Sequence, residues 1–101
     1  MRDFSDELKS LRARLDEAHN YLRIDDTRTR HAELEAVVQE PDLWEDQDRA
    51  RAVNAAYARA RGDIEEYDGL AGAVEDVEVL YELAREEGDD TQEPDIEAAL
   101  L

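Results

Sequence analysis

The chain holds 101 residues, 42% of them hydrophobic and 41% charged, with a net charge of −17 and no cysteine. That is room for one modest core, and so high a charged fraction favours exposed helices over a rounded globule. Disulfides and thiolate metal sites are excluded, and 4 glycines with 2 prolines are too few turn residues for a sheet protein of this length.

In the first segment Phe4, Leu8, Leu11, Leu15, Ala18 and Leu22 step alternately by four and three residues. This predicts a helix with one apolar seam facing a partner. Asp3 can cap its start, and the helix would be roughly 28 Å long. Asp25, Asp26 and Thr27 cap well and propagate poorly, so a turn is expected there, then a second helix from about Asp26 to Glu40. Its apolar face, His31, Leu34, Val37 and Val38, is thinner. Pro41 closes it, because the residue before a proline is pushed out of the helical region. Pro41-Asp42-Leu43-Trp44 then predicts a compact corner at which Leu43 and Trp44 bury apolar surface, with Asp46 capping the next helix.

Val53, Tyr57, Ala60, Ile64, Tyr67, Ala71 and Val74 repeat the four-and-three alternation. They predict a third helix from about Asp46 to Ala73, roughly 42 Å long. Gly62, Gly69 and Gly72 each cost about 1 kcal/mol relative to alanine in a helix interior; they should soften its far end or permit close helix contact. Glu75-Asp76 reads as a break and a new cap. Val77, Leu80, Tyr81, Leu83 and Ala84 then give another helix its buried face, closed by Gly88. Asp89, Asp90 and Thr91 form a polar loop, and Pro94 suits the first turn of a last helix. The apolar pattern of Ile96, Ala99, Leu100 and Leu101 runs to the final residue, as in a piece of something longer. The fold class expected is all-α: an elongated antiparallel helical hairpin, or coiled-coil-like bundle of three to four helices, forming one domain over residues 1–101. Phe4, Leu8, Leu11, Leu15, Leu34, Val38, Trp44, Val53, Tyr57, Ile64 and Tyr67 are its expected structural positions.

Chemistry-bearing patterns are absent. His19 and His31 lack a second histidine at the spacing that puts two metal ligands on one helix face. Ser5 and Ser10 lack an elbow motif and a partner base. Glu86, Glu87, Asp89 and Asp90 resemble a calcium loop in charge alone, without its alternation, central glycine or closing glutamate. No glycine-rich phosphate cradle exists. Tyr21, Tyr57, Tyr67 and Tyr81 fall at or beside seam positions, which suits core or rim better than stacking on bases. No catalytic, cofactor or metal site is expected, and no stretch approaches the ~18 apolar residues of a membrane span. The chain reads as soluble and cytoplasmic.

Charge is uneven along the sequence. Residues 1–61 carry 11 basic and 14 acidic side chains, whereas residues 62–101 carry Arg85 against 15 acidic ones. The second stretch repels phosphate, so any partner contact is expected in the first, with Arg23, Arg28, Arg30, Arg49 and Arg51 as candidates and Arg59 and Arg61 beside them. The plainer reading is that these arginines pair with neighbouring carboxylates on helix surfaces.

Together these segments resemble the N-terminal helical region of bacterial class I peptide chain release factors of type 2. The run Pro41-Asp42-Leu43-Trp44-Glu45-Asp46-Gln47-Asp48-Arg49-Ala50 is similar to that family's tryptophan corner and the acidic run after it. Glu75-Asp76-Val77 followed by Leu80-Tyr81-Glu82-Leu83-Ala84 is similar to its Glu-Asp and Leu-x-Glu-Leu-Ala helix. The resemblance covers essentially the whole chain. It implies a domain of a factor that ends translation at UGA and UAA, acting as a helical spacer and partner-contacting module. Its implied partners are the ribosome, at the stalk base of the large subunit, and a release-factor GTPase. The family reads codons with Ser-Pro-Phe and acts at the peptidyl transferase centre with Gly-Gly-Gln. Neither tripeptide occurs here, so no codon-reading or catalytic residue carries over. The alternatives are a stand-alone acidic helical adaptor or homo-oligomeric coiled coil and, more remotely, an acidic mimic of nucleic acid.

Overall fold

The computed structural model describes all residues 1–101 and contains four α-helices and no strand: α1 (Ser5–Tyr21), α2 (Ile24–Val38), α3 (Gln47–Glu87) and α4 (Glu93–Ala99). Short 3-10 turns at Leu43–Glu45 and Asp90–Gln92 precede α3 and α4. The all-α expectation holds. The contacts divide into two compact units, a terminal unit of Met1–Ala18 with Gly69–Leu101 and a central unit of His19–Asp68.

In the terminal unit, the opening of α1 lies antiparallel to the closing half of α3. Phe4 meets Tyr81 edge to face, ring centroids 5.6 Å apart at 90°, and further along α1, Arg12 pairs with Glu78, earlier on α3. Phe4, Leu8, Val77, Tyr81, Ala84 and Ile96 form the core, flanked by partly buried Leu11, Leu80 and Leu100. Asp3 starts α1 by accepting the Ser5 N–H at 2.9 Å, and its other partner is the Tyr81 hydroxyl at 3.0 Å. At the far end of α3, Gly88 adopts φ 64°. Gly88 N–H donates to the Arg85 carbonyl at 3.2 Å and Asp89 N–H to the Ala84 carbonyl at 2.9 Å, the paired bonds of a Schellman cap. Asp89 then accepts the Thr91 N–H at 3.0 Å and leads into α4, where Pro94 stands in the first turn and Ile96 is fully buried.

In the central unit, α2 lies antiparallel to the first half of α3. Arg28 near the start of α2 reaches Asp68 at 2.6 Å, and a turn later His31 stacks on Tyr57, centroids 4.8 Å apart and 15° from parallel. Ile24, Leu43, Ala50 and Ala60 are buried, as is Thr27. Thr27 is satisfied because its hydroxyl donates to the Leu22 carbonyl at 3.0 Å. Asp46 caps α3 through the Arg49 N–H at 3.1 Å, as expected.

Four expectations need correction. First, α2 begins at Ile24, and the turn before it is only Leu22–Arg23; Asp25 and Asp26 stand in the first helical turn, where carboxylates suit the positive end of the dipole. Second, α3 does not break at Glu75-Asp76 but runs on to Glu87. Both residues are exposed while Val74 and Val77 on either side are buried, so the apolar stripe shifts phase inside one helix. Third, Trp44 is not buried: Leu43 is 0% exposed and Trp44 67%. The corner has room for one apolar side chain, and a 3-10 turn sends its neighbour to the other side. Tyr21, one residue before seam residue Leu22, is likewise exposed. Fourth, a Cβ added at Gly62, Gly69 or Gly72 would meet nothing within 4 Å, so these glycines do not serve close helix contact. Of the remaining structural positions, Phe4, Leu8 and Leu15 are buried, and Leu11, Leu34, Val38, Val53, Tyr57, Ile64 and Tyr67 are half-buried.

Candidate interaction surface

All five arginines singled out as partner contacts, Arg23, Arg28, Arg30, Arg49 and Arg51, lie in the central unit and are exposed. The structure separates them into two kinds. Arg28 is committed within the chain: its guanidinium holds Asp68 at 2.6 Å, and that hydrogen bond keeps its pKa above the usual arginine value. Arg49 reaches Glu40 at 3.4 Å. Arg61, beside them in sequence, pairs with Glu65 at 2.9 Å. Arg23, Arg30 and Arg51 make no ion pair, and neither does Arg59.

Three of these four unpaired arginines stand on helices, Arg30 on α2 and Arg51 and Arg59 on α3. Arg30 stands on the exposed side of α2, whereas Arg23 lies in the left-handed turn just before that helix. Arg51 and Arg59 share the side of α3 turned away from buried Ala50 and Ala60. Between α2 and α3, Arg28, His31, Tyr57, Arg61, Ile64 and Glu65 line a shallow depression. With Arg28 and Arg61 each tied to a carboxylate, its floor is the His31–Tyr57 stack, and it offers no uncompensated positive charge.

In the terminal unit, Arg2 pairs with Glu7 and Glu97, and Arg12 with Glu78. Arg2 and Arg12 are therefore absorbed by carboxylates from α1, α3 and α4, an arrangement that counting charges along the chain does not reveal. Nowhere do three or more His, Cys, Asp or Glu side chains gather in a way that could hold a metal ion. No helix is long and apolar enough to cross a membrane. Sequence reasoning missed the outward turn of Trp44, since period and composition mark an aromatic as apolar without saying which side of a 3-10 turn it takes.

The model of the PCRF domain family fits residues 27–99. The chain belongs to the PCRF domain family. This PCRF domain is similar to peptide chain release factor 2 of Nocardia farcinica, with 39% identity over 104 aligned positions covering 98% of this chain and 28% of that protein. It is also similar to the same factor of Mycolicibacterium vanbaalenii, at 37% identity covering 94% of this chain and 26% of that protein. For Saccharopolyspora erythraea the identity is 36%, covering 88% and 24%. The PCRF domain thus spans about a quarter of the length of the curated relatives it matches.

Proposed function

We propose that this chain is the N-terminal, non-catalytic helical domain of a cytoplasmic release factor that ends translation at UGA and UAA. In this reading it serves as a spacer and as a contact to the ribosome at the stalk base of the large subunit, with a release-factor GTPase as a further partner. The observation that carries the reading is the PCRF domain match over residues 27–99, joined by similarity to proteins named peptide chain release factor 2 in three organisms. A continuous helix of 41 residues supports the spacer role, because a helix resists bending over lengths at which a loop does not hold distance. The ribosome-facing contact falls to residues 1–61, and within them to Arg23, Arg30 and Arg51, whose charges no carboxylate of the chain occupies.

Two measurements test this. The full-length product of the gene, added to ribosomes paused at each stop codon, is expected to release peptide at UGA and UAA and not at UAG. Crosslinks from that factor on the ribosome are expected in residues 1–61; crosslinks concentrated in residues 75–95 would overturn the contact assignment while leaving the family untouched. The second reading, a homo-oligomeric adaptor, has Val79 and Leu83 in its favour, each about half exposed on α3. Sedimentation of the 101-residue chain across concentrations separates the two, since the first reading expects a monomer throughout.

A further inference from the structure

Trp44 is the largest apolar side chain that the fold leaves in solvent. At 67% exposure it contrasts with Leu43 beside it, which is 0% exposed. Its backbone is held on both sides. Leu43 N–H donates to the Glu40 carbonyl at 3.2 Å, Glu45 N–H to the Asp42 carbonyl at 3.1 Å and Ala50 N–H to the Asp46 carbonyl at 2.9 Å. With Leu43 and Ala50 both buried as anchors, the indole is displayed from a corner whose backbone is already ordered, so contact need not order the chain there. Aromatic groups presented this way are what interfaces use as energetic anchors.

The surrounding charge selects the partner. Glu40, Asp42, Glu45, Asp46 and Asp48 all lie within four residues of Trp44. Glu40 is engaged by Arg49 and Asp46 is spent capping α3. Asp42, Glu45 and Asp48 make no ion pair. The nearest unpaired cation is Arg51, seven residues along the chain. A polyanion that stacked a base on this indole would bring its phosphates against free carboxylates. A lysine or arginine meets the opposite situation, since indole is the best aromatic face for a cation and the carboxylates add to the attraction.

We infer that Trp44, flanked by Asp42, Glu45 and Asp48, is a docking point for a basic protein segment, one Lys or Arg side chain lying over the indole. The proposal stands on this corner alone and does not depend on which process the chain serves.

Trp44 is the only tryptophan, so its emission reports the site directly. The 101-residue chain is titrated with three labelled peptides of about twelve residues, alternating Ala-Arg, Ala-Gln and Ala-Glu, and with a uridine oligonucleotide of similar length. The Ala-Arg peptide is expected to shift the emission saturably, and the other three ligands are not. In anisotropy titrations Trp44→Ala is expected to weaken Ala-Arg binding about five-fold and Trp44→Phe by less, in line with an exposed cation–π contact. Asp42→Asn with Glu45→Gln should weaken it as well. The same charge change made elsewhere, Glu75→Gln with Asp76→Asn, should leave it within about two-fold. Equal weakening by the remote pair would reduce the binding to general attraction by an acidic chain and overturn the proposal. So would a Trp44→Ala variant that binds as the parent does, or an emission shift caused by the oligonucleotide and not by the Ala-Arg peptide. Because Trp44 is exposed, circular dichroism should show both Trp44 variants folded.

Discussion

Arg23 holds φ 49° and ψ 53° in the two-residue turn between α1 and α2, the left-handed region that a Cβ makes costly by roughly 1–2 kcal/mol. No side-chain bond of its own caps α2; the turn is secured by Thr27, whose N–H reaches the Arg23 carbonyl at 2.8 Å. Arg23→Gly removes the clash and keeps that bond, so it should raise unfolding free energy by about 1 kcal/mol in urea denaturation. A decrease would show that the arginine side chain contributes more than its backbone conformation costs. Asp3 offers a second residue-scale test. The Ser5 hydroxyl and amide, followed by the Tyr81 hydroxyl, stabilise its charged form and bring its pKa from 3.8 down to about 2. A depressed carboxyl stabilises the fold above its ordinary value and loses that contribution as pH falls from about 4 towards 2. Following the Asp3 side-chain carbon by NMR should give a midpoint near the lower figure. Tyr81→Phe should move it upward, and Ser5→Ala further, because Ser5 is the larger cause. An unmoved midpoint in both variants would mean that these hydroxyls do not set the titration.

At the level of elements, α3 carries the main lesson. Its inward residues alternate four and three from Val53 to Val74, but Val74, Val77, Tyr81 and Ala84 then step by three, four and three. Ala71–Val74–Val77 is thus two three-residue steps in succession. Such a slip changes which side of a helix is apolar without ending it. Read from sequence, the slip fell on Glu75-Asp76, a pair that also suits a cap, and the two signals together imitated a break. Strong periodicity made the seams from Phe4 and Val53 legible, and local chemistry made Asp46 and Gly88 legible as helix ends. The side on which Trp44 emerges and the two-residue turn at Arg23 depend on packing around Leu43 and Thr27, which no local pattern encodes. Asp76→Pro distinguishes the alternatives: inside a continuous helix it costs about 3 kcal/mol or more, whereas at the first turn of a new helix it would be tolerated. Thermal unfolding is therefore expected to shift sharply downward. Glycines on and just beyond the same helix should divide in sign. Gly62→Ala, with open space around the new methyl, should add roughly 0.5–1 kcal/mol. Gly88→Ala, at φ 64°, should destabilise by about 1 kcal/mol. Matching signs in chemical denaturation would contradict these backbone assignments.

For the whole molecule, folding rearranges charge in a way the linear count conceals. The terminal unit carries 5 basic and 16 acidic side chains and the central unit 7 and 13. The excess is therefore shared, where residues 1–61 and 62–101 along the sequence differ widely. Arg2 and Arg12 belong to the more acidic unit and are held there by Glu7, Glu97 and Glu78. Exposed pairs of this kind contribute about 0–1 kcal/mol each, and they act at contact distance. Repulsion among the remaining carboxylates acts over longer distances. Raising salt from about 0.01 to 0.1 M shortens the Debye length from about 30 to 10 Å, which weakens long-range repulsion more than it weakens pairs in contact. With a net charge of −17, relief of self-repulsion should win, and Tm should rise over that interval. A gain of about 1 kcal/mol corresponds to roughly 4–8 °C for a domain of this size. Glu86→Gln with Glu87→Gln removes two exposed, unpaired charges, so it should raise Tm at low salt and flatten the dependence. A Tm that falls as salt is added would mean that the contact pairs outweigh the repulsion, with the charge excess serving stability rather than opposing it.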